Sequence, residues 1–134
     1  MPVVRAADVV HGLVPEMPRG DWSARSGYEA GRQLAPRPEV TAVFCANDPM
    51  ALGFLRAAAE VGRRVPQDIS VAGFDDVPEA AYFSPPLTTV RQDFGALGER
   101  ALHLLMSQIA AGGEAPSPPP IAPELVVRSS SAAP

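Results

Sequence analysis

Three short polar pairs in the 134-residue chain carry groups suited to recognising hydroxyls: Asn47-Asp48, Asp75-Asp76 and Arg91-Gln92. An amide both donates and accepts, a carboxylate accepts through two oxygens, and a guanidinium donates in a planar fork. Together they match the vicinal hydroxyls of a sugar. Trp22, the only tryptophan, stands in Gly20-Asp21-Trp22-Ser23. Its flat indole suits the C–H face of a pyranose or the face of a nucleobase; an aromatic that merely covers the end of a core is the plainer alternative. For Asp48 and Asp76, which precede Pro49 and Pro78, helix capping is favoured over ligand contact. Asn47 and Asp75 lie one residue too early for a cap, and turn formation is their alternative.

Catalytic readings find less support. Asp75 with Asp48 has the residue types of a glycosidase acid/base pair, but aspartates after strands are common and no feature of the sequence raises one pKa above the other. There is no G-x-S-x-G elbow, no phosphate-cradling glycine loop and no pair of histidines at metal spacing. His103 falls on a polar helix face and His11 has no evident partner. Binding is therefore expected, with no enzyme activity, cofactor or metal. Cys45, the sole cysteine, lies in the apolar run Ala42-Val43-Phe44-Cys45 and is expected to be a buried, inert thiol.

These groups must be positioned by the elements around them. Ser23 to Leu34 predicts a helix stopped by Pro36 and Pro38. Residues 40–45 are apolar on both faces, as in a parallel strand covered from both sides. A helix follows from Asp48 to about Gly62, with Ala51, Phe54, Leu55, Ala58 and Val61 at helical spacing. Ile69 to Phe74 predicts a second strand, Leu87 to Val90 a third, Asp93 to Ala111 the longest helix, and Glu124 to Arg128 a last strand. Alternating strands and helices predict an α/β fold, an open parallel sheet flanked by helices. In such sheets ligands sit beyond the carboxyl ends of the strands. Asn47-Asp48, Asp75-Asp76 and Arg91-Gln92 each follow a strand, so one sheet edge gathers all three pairs.

Composition limits the partners. The net charge is −4, and the 11 basic residues are all arginine with Arg63-Arg64 as the only doublet. That is no basic stripe, so the chain is not expected to grip nucleic acid unaided. No stretch reads as a signal peptide or a membrane span, which makes the cytoplasm the expected location and a membrane no partner.

The runs TAVFCANDPMALG (41–53), RVPQDISVAGFDD (64–76) and SPPLTTVRQDF (84–94) resemble, in order and spacing, the C-terminal region of the lactose/galactose-repressor family of transcription regulators. GDWSARSGYEAG (20–31) is similar to the family's preceding segment and PELVVRSS (123–130) to its closing strand. The resemblance implies the C-terminal lobe of a type I periplasmic-binding-protein-like fold, in which two α/β lobes close on a small effector. It implies effector contacts from Asn47, Asp75 and Trp22, less firmly from Gln92 and Phe94, and a sugar or nucleoside as effector. It also implies a homodimer interface in the full-length parent at the helix from Met50 to Gly62, including Met50 and Phe54, and at Tyr82 and Phe83.

The departures from the family pattern set further expectations. Family members carry an N-terminal helix-turn-helix and a whole N-terminal lobe that have no counterpart here, so DNA would be reached only through a domain missing from this chain. Residues 20–130 are expected to form an incomplete sensor domain, after a poorly defined segment 1–19 and before a tail 131–134; Ser129 to Pro134 is expected to be loose. The wide apolar stripe of the helix from Asp93 is expected to be exposed, because the family packs it on the N-terminal lobe. The alternative function is the sugar-binding protein of a transporter. The absence of a signal peptide and the run PPLTTVRQDF argue against it.

Overall fold

A computed structural model describes residues 18–113 and 119–133. The strand fragments read at Val3-Val4 and Val9-Val10, His11, and part of the Gly112–Pro120 connector lie outside the described residues.

Helix α1 spans Ala24–Leu34, capped by Ser23, whose hydroxyl accepts from the Ser26 N–H. Helix α2 spans Asp48–Glu60. The two pack at a distance set by glycine. A Cβ on Gly27 would fall 2.1 Å from the Met50 carbonyl oxygen, and one on Gly53 1.9 Å from that of Ala24. Backbone meets backbone there, so no side-chain rotation could relieve either clash.

Strands β1 (Ala42–Phe44) and β2 (Ser70–Ala72) pair in parallel, Val43 opposite Val71. Strand β3 (Thr89–Arg91) lies beside β2 through parallel bridges at Ala72–Thr88 and Asp75–Arg91. Strand β4 (Glu124–Val126) runs antiparallel to β3. Val43, Cys45, Met50, Phe54, Leu55, Ile69, Val71 and Leu87 form the core between β1, β2 and α2. Helix α3, Phe94–Ala111, is capped by Asp93 and closed by Gly112 in the left-handed conformation, and none of its residues is buried. As expected from its stripe, Leu97, Leu102, Leu105, Met106 and Ile109 face outward. Among the described residues no helix is long and apolar enough to cross a membrane.

Several expectations are corrected. The cap of α2 is Asn47, not Asp48: the Met50 N–H donates to Asn47 Oδ1 at 2.9 Å. Nor does Asp76 cap the 3-10 turn Pro78–Tyr82, which starts at Val77 without a side-chain cap. The closing segment is not loose through Ala132. Ser130 is fully buried, its hydroxyl accepting from the Thr88 N–H and donating to the Val71 carbonyl, so it splices β2 to β3 where the two ladders part. The Ala132 N–H donates to Ser70 Oγ at 3.2 Å. Small hydroxyl side chains, which suit a disordered tail by composition, here replace missing ladder bonds.

Candidate functional site

At the carboxyl edge of the sheet two polar pairings take shape. In the first, Asn47 Nδ2 donates to the Trp22 carbonyl oxygen at 2.9 Å while its Oδ1 caps α2. One amide therefore joins the loop before α1 to the start of α2. Trp22 holds a left-handed backbone (φ 72) with its side chain largely exposed, 60% of the residue being open to solvent. The carbonyl clamp holds a bulky residue in a conformation that favours glycine.

In the second pairing, Gln92 Nε2 donates to Asp75 Oδ1 at 3.1 Å. The Asp75 N–H donates to the Val90 carbonyl, which fixes the end of β2 against β3. Asp75 Oδ2 has no partner among the described residues, and an ionised carboxylate has acceptor capacity left for a ligand hydroxyl. Phe94 opens α3 two residues on, half exposed, its N–H on the Gln92 carbonyl. A cavity of about 80 Å³ is lined by Phe74, Gln92, Leu97 and Ile121 among others, and so includes Gln92 but not Asp75. Pockets that enclose a small ligand run from roughly 300 Å³ upward. The cavity here is well below that size.

Asp48 is distinct from both. It is fully buried, with Oδ1 accepting from the Thr89 hydroxyl at 2.6 Å and Oδ2 from the Val77 N–H at 2.8 Å. Burial raises its pKa above the ordinary 3.8 against the pull of those two hydrogen bonds. Both oxygens are engaged inside the protein, so the Asp48–Asp75 acid/base pair has no accessible partner in Asp48. Cys45 is a buried thiol pushed up to about 12 by desolvation and by the nearby Asp48. The residues expected at a dimer interface divide. Met50 and Phe54 are 2% and 1% exposed and packed in the chain's own core, so their side chains offer no surface to a second subunit. Tyr82 is open to solvent and Phe83 packs partly on the core.

The family described as periplasmic binding protein-like domain matches residues 5–131. The chain belongs to this family. Within it, the chain is 45% identical over 120 residues to the HTH-type transcriptional repressor PurR of Escherichia coli, a match covering 87% of this chain and 35% of that protein. The chain thus spans about a third of the length of the curated relatives it matches. The Lac repressor dimer bound to operator and the anti-inducer ONPF superposes with a TM-score of 0.80 at 39% identity, over 94% of this chain and 44% of that one. A complex of the transcriptional regulator CelR with cellobiose gives 0.80 at 36% identity, over 93% and 39%. The periplasmic-binding-protein-like fold implied by the motifs is the fold of this chain, and its likeness is to the repressor branch.

This periplasmic-binding-protein-like domain also contains side-chain ties that sequence reasoning passed over. Asp76 has a side chain only 6% exposed, with Oδ1 accepting from Arg128 and Oδ2 from Arg91, each at 2.7 Å. Arg128 also donates to the Leu87 carbonyl. Arg63 donates to the carbonyls of Ala35, Arg37, Val40 and Asp68, binding the end of α1 to the entries of β1 and β2. Neither role has a local signature, because every partner but Asp68 lies 15 or more residues off in sequence.

Proposed function

We propose that this chain is the effector-binding portion of a lactose-repressor-type transcription regulator, taking a sugar or nucleoside at the rim of Trp22, Asn47, Asp75 and Gln92. The observation that carries the proposal is the Asp75–Gln92 pair at the carboxyl edge of the sheet, with one carboxylate oxygen open. Asp75 and Gln92 face the ligand hydroxyls, Trp22 and Phe94 its apolar faces, and Asn47 acts chiefly by holding Trp22. Effector binding shifts the full-length protein, a cytoplasmic homodimer, between states of different operator affinity, since a ligand moves an equilibrium by its differential affinity for the two states. DNA is contacted by a domain outside these residues. The likeness to repressors at 39% and 45% identity favours this reading over a transporter's binding protein.

The test is calorimetry of the full-length protein against pentoses, hexoses and nucleosides, with operator binding measured in parallel. Trp22→Ala and Asp75→Asn are expected to weaken the effector response and leave operator binding intact. Loss of operator binding in both variants would point to misfolding, and no heat from any compound would sink the proposal.

A further inference from the structure

We infer that Asp76, Arg91 and Arg128 act as a positioning unit that sets the Asp75 carboxylate and the Gln92 amide in register at the rim. The inference rests on the reading of Asp75 and Gln92 as effector-contacting groups. Asp75 and Asp76 are consecutive non-glycine residues at positive φ, 103° and 53°. Such a pair persists only where its surroundings over-determine it. The determinants lie on both sides of the 75–76 peptide. Before it, the Asp75 N–H is fixed to the Val90 carbonyl. After it, Asp76 Oδ2 accepts from Arg91 Nε at 2.7 Å, and Arg91 is the residue preceding Gln92. The salt bridge thus joins the immediate chain neighbours of the two rim residues, and the 3.1 Å Gln92–Asp75 hydrogen bond closes the square.

Arg128 adds the anchor. It reaches Asp76 Oδ1 at 2.7 Å and the Leu87 carbonyl at 2.7 Å from the closing segment, 52 residues away from Asp76 in sequence. Its side chain is 18% exposed, against 49% for Arg91. The sheltered arginine therefore fixes the carboxylate, and the open one transmits that position to Gln92. Glu124 holds the far side of Arg91 at 3.2 Å, which limits its freedom to swing away. An ion pair that served stability alone would not need its partners directly adjacent to both rim groups.

The experiment labels the full-length protein with 15N-glutamine and follows the Gln92 side-chain amide, assigned by its disappearance in Gln92→Ala. In the native protein that amide is expected apart from the exposed Gln33 and Gln67 amides and slower to exchange with solvent. Arg91→Ala and Asp76→Asn should each move it to the free position while the backbone signal of Gln33 in α1 stays in place. Arg91→Lys, which keeps the charge and loses the fork, should leave it between the two. A Gln92 signal unmoved in folded Arg91→Ala overturns the inference. Should Asp76→Asn unfold, the half-exposed Arg91 still decides the matter.

With whichever panel compound binds, Arg91→Ala should weaken affinity about tenfold, the scale of one charge-assisted hydrogen bond, with operator affinity unchanged. A panel without a binder counts against the effector reading, while the Gln92 signal still rules for or against the positioning unit.

Discussion

Burial opposes ionisation of Asp76, but the hydrogen bonds and charges of Arg128 and Arg91 outweigh it and hold its carboxyl below the ordinary 3.8. A carboxyl depressed on folding contributes stability above its unfolded value, and loses it as pH falls through the folded one. Denaturation measured across a pH series should therefore show stability declining below about pH 4, and Asp76→Asn should flatten that decline. Asp48 carries the opposite sign. With its pKa raised by burial, it favours the folded state less as pH climbs above 3.8. Cys45 offers a cleaner check, since a thiol pushed up to about 12 inside the core has neither thiolate nor access. An aromatic disulfide reagent should find no reactive thiol at Cys45 in the native protein and release it only on denaturation. At this scale the sequence showed residue types and order, enough to mark the pairs Asn47-Asp48, Asp75-Asp76 and Arg91-Gln92. Which oxygen of Asp75 is open, and that Asn47 holds the Trp22 carbonyl, depended on partners 17 and 25 residues away.

The elements follow from local pattern with few surprises, because capping and periodicity are short-range. Ser23 and Asp93, the first residues of the two segments expected to be helical, cap α1 and α3. The one-residue shift at α2 arises because Asn47 is as good a cap as aspartate, and Asp48 is drawn instead to Thr89 and Val77. The α1–α2 contact is the most demanding at this scale. Gly27→Ala would force a methyl to within 2.1 Å of the Met50 carbonyl oxygen, which only separation of the helices can relieve. Overpacking of this kind costs about 3 kcal/mol or more, and chemical denaturation should register it. Gly98→Ala, at a position with open space around the added methyl, should cost nothing or stabilise α3. Equal effects from the two substitutions would show that helix propensity, and not the close approach, governs both.

Across the whole molecule one feature dominates: an 18-residue helix with an apolar stripe and no buried residue. Contiguous apolar surface of that kind drives association. The 134-residue chain alone is expected to self-associate as concentration rises in analytical ultracentrifugation. Leu102→Glu with Ile109→Glu, both substitutions on exposed positions of α3, should restore the monomer. The same chain should bind the sugar and nucleoside panel weakly or not at all, since its cavity of about 80 Å³ is too small to enclose either kind of ligand. Micromolar binding by an ordered monomer would show that the rim suffices without an enclosing pocket.

The α/β class, the order of the strands along the chain and the edge to which the polar pairs are carried were legible in the residues, because periodicity, caps and breakers act over a few positions. The sequence also carried the motif order that marks the family. That Asp48 is an internal tie, that Met50 and Phe54 belong to the core, and that Arg128 and Arg91 grip Asp76 beside the rim emerged from the folded chain alone. Those outcomes depend on side chains brought together over long separations, and on which face of α2 the glycines of α1 allow to close. A polar pair read along the chain has a type and a direction; its remaining hydrogen-bonding capacity exists only once its neighbours are in place.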